Sequence, residues 1–381
     1  GRDLELGGGW VHWLQPHVWA ELTRYGIGVG AVEPLDLAIT YYGGERSEHA
    51  ARDWYARFFT ASRPLEEAAR RVFPLPYEPL ADLSAVAEID GLAVPEGLVA
   101  LGVEPERLPD LRSYWASNVS GPAVDGALST VLHWIALAGW DATLIDEAAG
   151  TYAIDGGTRR LVEAIAADVR GAIGLSTRVE RIEHGDDGVV VHAGGRTLEA
   201  RAAVVTVPWG ALAGIELDPP LAGARADAAA TGQASRGVKV WARLRGRLPR
   251  FIAIAEDDHP LTHVGSEYDT PDGQIVVGFG SDAARLDVTS VDAVRDALRV
   301  WLPDVEVDAV AGHDWAHDEL TGQTWMMMRP GQLTTAYPAF REPDGALLFA
   351  GGDYADGWAG FMDGAIESGL RAARLLDARL G

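Results

Sequence analysis

The stretch Leu348-Phe-Ala-Gly-Gly-Asp353, followed by Gly357-Trp-Ala-Gly360 and a long run to Leu380, constrains the fold more than any other part of the chain. It predicts a short buried strand over 346–350, a glycine loop, and a helix from about 361 to 380. Gly360, Gly364 and Gly369 leave little side-chain bulk along it. The unpaired N–H groups at the helix start, with the positive end of its dipole, favour a negative or electron-rich group, and small residues let a planar ligand approach the backbone. The same spacing equally fits a helix packed closely on a sheet, with the glycines serving only that contact.

The chain has 381 residues, 48% of them hydrophobic and 23% charged, enough for a large core in two domains or one large fold with insertions. Acidic residues outnumber basic ones 56 to 32, for a formal net charge of −24, and no Lys/Arg run exists. Nucleic acid and anionic membrane surfaces are therefore not expected as partners, and a small or cationic ligand is favoured. The absence of Cys excludes disulfides, thiolate metal ligands, a Cys nucleophile and a sulfur-tethered cofactor. No segment reaches the ~18 continuous apolar residues of a membrane helix, and no signal peptide opens the sequence. These features leave the compartment open, with a cytoplasmic location as the default expectation. Among the basic residues Lys239 is the only lysine. A chain that uses Arg for every generic positive charge has kept one compact ammonium whose pKa can shift on burial.

The pattern is mixed α/β. Residues 18–137 read as mostly helical, with apolar spacing near 3.6 over 46–59 and 65–72 and breaks at Pro74, Pro76 and Pro79. Asp155-Gly156-Gly157 precedes a helix through Val169, and alternating segments follow at 178–183, 189–192 and 203–207. A second β-rich stretch covers 237–244, 252–255, 262–267 and 274–279, then a helix over 291–301. The ten histidines lack metal-ligand spacing. His12 and His17 are read in a loop, His313 and His317 straddle Trp315, and no metal is expected. Trp115, Trp134 and Trp140 either line a substrate channel or pack in the core.

The closing segment Phe349-Ala-Gly-Gly-Asp353 with Gly357-Trp-Ala-Gly-Phe-Met-Asp-Gly-Ala-Ile-Glu-Ser-Gly369 resembles the flavin-containing amine oxidases of the monoamine and polyamine oxidase type. Other stretches align in the same order. The resemblance implies an FAD-binding Rossmann-like domain and a sheet-plus-helices substrate domain. It puts 1–35, 151–215 and 326–381 in the first, with 36–150 as the helical and 216–325 as the β-rich part of the second. Asp353 then lies on the flavin ribityl chain, the backbone of Met362 at the pyrimidine end of the ring, and Phe361 as an aromatic wall, with Gly352, Trp358 and Gly360 in the same cofactor-binding loop. Leu6-Gly7-Gly8-Gly9-Trp10 resembles the glycine segment where backbone approaches the flavin. Val179 matches the residue whose backbone holds adenine, and Val204-Val-Thr-Val-Pro208 resembles the next strand and turn, with Pro208 at the cofactor. Gly237-Val-Lys-Val240 matches the strand whose lysine reaches flavin N5 through a water, so Lys239 emerges from composition and resemblance alike.

Four departures carry expectations of their own. The family's opening βαβ unit with its G-x-G-x-x-G loop is absent, and roughly 40 residues are expected ahead of Gly1. The FAD affinity of these 381 residues alone is therefore expected to be weak. Gln323 stands near the position of a sulfur tether, so FAD is expected to be non-covalent. Trp325 is the aromatic expected opposite Phe361, where two rings would orient an amine. The helical region carries no substrate signature, while Gly322-Gln-Thr-Trp325 resembles bacterial nicotine-type enzymes more than mitochondrial ones.

The function implied is hydride removal from the carbon beside an amine nitrogen, with O2 or another electron acceptor completing the cycle, hydrogen peroxide as the product with O2, and a homodimer as one expected assembly. Two other functions fit parts of the same pattern. One is an FAD-dependent desaturase or isomerase of a hydrophobic substrate, against which Lys239 argues. The other is a non-catalytic binding protein that kept the fold.

Overall fold

The computed structural model describes residues 3–381. Its largest sheet has seven strands, in the order Glu306–Gly312, Val238–Arg245, Gly273–Gly280, His263–Thr270, Phe251–Ala255, Leu37–Tyr42 and Glu45–Ala50. All neighbours are antiparallel except Phe251–Ala255 with Leu37–Tyr42. One side of this sheet is closed by the helix Val291–Leu298, whose Val294 and Leu298 pack with Val238, Val240, Val264 and Trp301. Toward the other side lies a larger core built from the helices between Ala51 and Gly150.

Residues 18–137 are mostly helical, as read, with one correction near their start. Leu37–Tyr42 and Glu45–Ala50 form a hairpin that joins the sheet, and the helix expected from Arg46 starts only at Ala51. Glu45–Ala50 is a rim strand with almost every residue exposed, so nothing in its side chains alternates between core and water. The exposed strand Arg196–Ala200 and the rim strand Glu306–Gly312 escaped notice for the same reason.

The remaining strands are arranged in smaller groups. Val179–His184 pairs with Val189–Ala193 and, in parallel, with Glu216–Asp218. Leu347–Phe349 runs parallel to Ala203–Val205, and Val29–Ala31 pairs antiparallel with Tyr152–Ile154. The helix Met362–Leu380 follows the strand Leu347–Phe349 through a short 3-10 turn, as its glycine loop foretold.

The loop between them is tied down by charge. Glu367 accepts from the N–H groups of Asp356 and Gly357, and Asp356 is held by Arg341, Arg371 and the Tyr337 hydroxyl. Opposing guanidinium charges overcome burial and keep the Asp356 carboxyl below its usual range.

Candidate active site

A row of side chains crosses three strands of the large sheet. In the pairing register Lys239 faces Phe279, and Phe279 faces His263, so the three share one face. Phe279 and His263 line a cavity of about 260 Å³ beside the glycine segments. Lys239 ends just beneath its edge. The residue is 3% exposed, and its ammonium donates to the carbonyl of Gly7 at 2.8 Å. It sits 4.4 Å from the Trp10 ring centre and 5.1 Å from that of Trp241. Burial lowers its pKa to about 8, while the carboxylates of Glu267 and Glu5 pull the other way. A head group this deeply buried does not reach bulk solvent.

Glu267 occupies a β-bulge between Ser266 and Tyr268, where the register with the neighbouring strand slips. A bulge re-aims the side chain it carries. Here the carboxylate accepts from Trp10 Nε1 at 3.2 Å, and burial raises its pKa to about 7.

The opposite wall is backbone. Gly7 and Gly8 have no left-handed φ, a Cβ on Gly7 would meet nothing within 4 Å, and one on Gly8 would reach only Met362 Cγ at 3.9 Å. Neither conformation nor packing within the protein calls for glycine at these two positions. They leave a slot of bare backbone on the cavity wall beside Met362, where the edge of a flat flavin ring can approach closely. Gly9 is different, since a Cβ there would press on Glu5 at 3.2 Å and approach Lys239 Nζ at 3.6 Å.

The closing glycines divide between the two readings left open by their spacing. Gly360 has φ +84° and lines the cavity, while Gly364 serves packing, because a Cβ there would lie 2.2 Å from the carbonyl of Trp358. Gly369 is exposed with open space around it. The helix start at Met362 has no side-chain cap of its own.

Trp325 and Phe361 both line the cavity, and Gly360 lies between them, within 3.6 Å of Trp325 Cβ when a Cβ is placed on it. The Trp325 indole is pinned by Nε1 donating to Asn118 O at 2.6 Å. Phe361 is held edge to face between Trp134 and Trp358, with ring centres 5.5 and 5.1 Å away. Trp134 lines the cavity, whereas Trp115 is core and Trp140 lies elsewhere, its Nε1 bonded to Phe73 O. Trp358 is fully buried and off the cavity wall, with Nε1 donating to Leu14 O.

Pro208, Gly352 and Asp353 gather at the carboxyl ends of the parallel strand pair, the end at which open α/β sheets place ligands. Asp353 Oδ2 accepts from Trp209 N at 2.9 Å and from Gln323 Nε2 at 2.7 Å. Burial raises its pKa to about 6 against the pull of those two bonds. Gln323 also accepts from Gly210 N, so its amide is spent on structure. Gly360 N donates to Gly352 O, which joins this cluster to the cavity. Val179 stands apart from both, at the start of its strand.

Among the described residues no group of three or more His, Asp or Glu is placed to hold a metal. His17 opens a helix and bonds Asp363, while His313 and His317 are each paired with an aspartate. Sequence reasoning missed Tyr114, Asp146, His263 and Phe279 on the cavity wall. The register opposite Lys239 could have found Phe279, and an acid in the apolar run Thr143-Leu-Ile-Asp146 was the only sign of the carboxylate.

The family profile described as Flavin containing amine oxidoreductase matches residues 1–377. A pseudooxynicotine dehydrogenase of Pseudomonas sp is 32% identical over 97% of this chain and 76% of its own length. A nicotine dehydrogenase of Pseudomonas putida is 32% identical over 98% and 78%. An (S)-6-hydroxynicotine oxidase of Paenarthrobacter nicotinovorans is 25% identical over 97% and 86%. Among solved structures, a putrescine oxidase variant superposes with a TM-score of 0.85 at 20% identity, covering 100% of this chain and 89% of that one. A cyclohexylamine oxidase of Brevibacterium oxydans gives 0.80 at 20% identity, covering 99% and 88%. At that identity the structures establish the fold alone.

Proposed function

This chain belongs to the flavin containing amine oxidoreductase family, and from that premise we propose that it oxidises a nicotine-like amine in the aromatic cavity, with non-covalent FAD along the glycine wall. The observation that carries the reading is the slot of bare Gly7–Gly8 backbone beside Met362, on one cavity wall with Trp325 and Phe361, and with the Lys239 ammonium bonded to Gly7. FAD, when bound, accepts the hydride from the carbon beside the amine nitrogen. The chain's own part is to hold that carbon against the ring and to keep water out. Trp325 and Phe361 supply apolar faces that suit an uncharged amine, and their fixed edges leave its orientation little freedom. Lys239 supplies a positive donor set in place before reaction, held by Gly7 and aimed by the aromatic rings around it.

Non-covalent binding is supported by the absence of Cys and by Gln323, whose amide is already spent on Gly210 and Asp353. We take O2 as the electron acceptor. The relatives named above include both dehydrogenases and an oxidase, so peroxide formation is the measurement that decides it.

The test is anaerobic mixing of the FAD-loaded protein with pseudooxynicotine or nicotine. Loss of the oxidised flavin absorbance is expected, and a flavin that stays oxidised with every amine tried would refute the function. Trp325→Ala and Phe361→Ala should each lower kcat/KM by about ten-fold or more with the flavin spectrum intact. Release of FAD by either change would instead make that residue a cofactor support.

A further inference from the structure

Asp146 is the sole carboxylate on the wall of the large cavity, and among the described residues it has no Lys, Arg or His partner. Its one hydrogen bond comes from the Tyr114 hydroxyl to Oδ1 at 2.9 Å. The other polar groups nearby are already committed. Ser117 Oγ and Asn118 Nδ2 both donate to Tyr114 O, at 2.7 and 3.0 Å, and His263 is buried with its pKa lowered to about 4. The rest of the wall is mainly aromatic or glycine. A charge among aromatic rings with no counter-charge is costly, and a ligand that brings the missing proton or cation removes that cost.

The position in the cavity is also defined. Tyr114 and Asn118 are four residues apart on the helix Leu108–Val119, about one turn or ~5.4 Å. Asn118 O holds Trp325 and the Tyr114 hydroxyl holds Asp146, so one helix seats both side chains on the cavity wall. Ala148, Ala149 and Gly150 follow it on the same wall and leave room beside it.

We propose that Asp146 is the binding residue for a second basic nitrogen of the substrate, remote from the nitrogen at the oxidised carbon. The Asp146 oxygen not taken by Tyr114 and that nitrogen share one proton in a hydrogen bond. The substrate class is thus an amine carrying a further ring or chain nitrogen at its far end. This rests on the amine-oxidising function proposed above, and it assigns recognition to a residue that function does not use.

The experiment uses matched pairs: pseudooxynicotine and nicotine, each against the phenyl analogue in which C–H replaces the pyridine nitrogen. With the FAD-loaded protein at neutral pH, KM should be at least about ten-fold lower for the pyridyl member of the pair, since a site built to hydrogen-bond a nitrogen discriminates against the analogue lacking it. In Asp146→Asn the ratio should fall several-fold, and in Asp146→Leu it should approach one or invert. Equal KM values within a pair in the wild-type protein would overturn the assignment by themselves, whatever the variants do. So would an undiminished ratio in both variants. Bleaching of the flavin by both members without discrimination sinks only the Asp146 inference, whereas bleaching by neither sinks the amine reading with it.

Discussion

Lys239 keeps its charge in surroundings that disfavour it. Burial brings its pKa down to about 8, and the nearby Glu267 is pushed up to about 7 through its own burial. The two groups therefore titrate next to each other, with Trp10 between them, bonded to one and under the other. As pH rises through about 8 the ammonium loses its proton, so any step that uses its charge should slow on that limb. Lys239→Met keeps the length and the apolar stem, and it should slow flavin reduction or reoxidation on the order of 10²-fold while abolishing the limb. Lys239→Arg stays charged at all working pH values, so its limb should vanish too, with impaired rates from a planar fork in place of a point donor. Stopped-flow traces of both half-reactions across pH measure this. Wild-type rates in Lys239→Met would remove the lysine from the chemistry.

At the scale of elements, the cavity wall is held by a cap that reaches across the chain. The helix Pro16–Tyr25 has no side-chain cap of its own. Asp363, in the first turn of Met362–Leu380 and fully buried, accepts from His17 N at 2.6 Å and Val18 N at 2.9 Å, and its other oxygen meets His17 Nδ1 at 3.1 Å. Two helix starts are thus fastened together directly behind Met362. Asp363→Ala would strand two buried N–H groups and should cost about 2 kcal/mol or more, with Asp363→Asn losing less because one acceptor remains. Urea unfolding followed by tryptophan fluorescence measures it, and an unchanged midpoint in Asp363→Ala would mean the contact contributes nothing. This contact also shows what the sequence could and could not reveal. Met362–Leu380 announced itself through its glycines and its preceding strand, and Lys239 through its solitude. Asp363 read as one more surface acid, because its partners lie about 346 positions away. The hairpin strand Glu45–Ala50 was hidden because a rim strand bathed in water has no apolar face to betray it. Asp146 was hidden because a lone acid in a helix has meaning only once the opposite wall is known.

On the scale of the whole molecule, the slot lies where distant parts of the chain meet: the glycines near the start, the helices around Tyr114 and Asp146, the sheet at Phe279, and the closing loop at Gly360. None of these segments alone encloses a ligand, so a flavin bound there would hold only when all of them are folded and in register. Binding to the native state and not to the unfolded chain raises stability by an amount set by free ligand over Kd, ~2.7 kcal/mol at a hundred-fold excess. For a chain of this length that corresponds to a rise of roughly 3 °C in Tm. With non-covalent FAD, Tm should therefore climb steadily with added FAD, and heating or acid should leave the yellow colour in the supernatant. Calorimetric scans over a range of FAD concentrations, followed by precipitation and an absorbance spectrum of each fraction, make the measurement. A Tm indifferent to FAD would deny that these residues hold it, and colour retained in the washed pellet would replace the non-covalent reading with a covalent one.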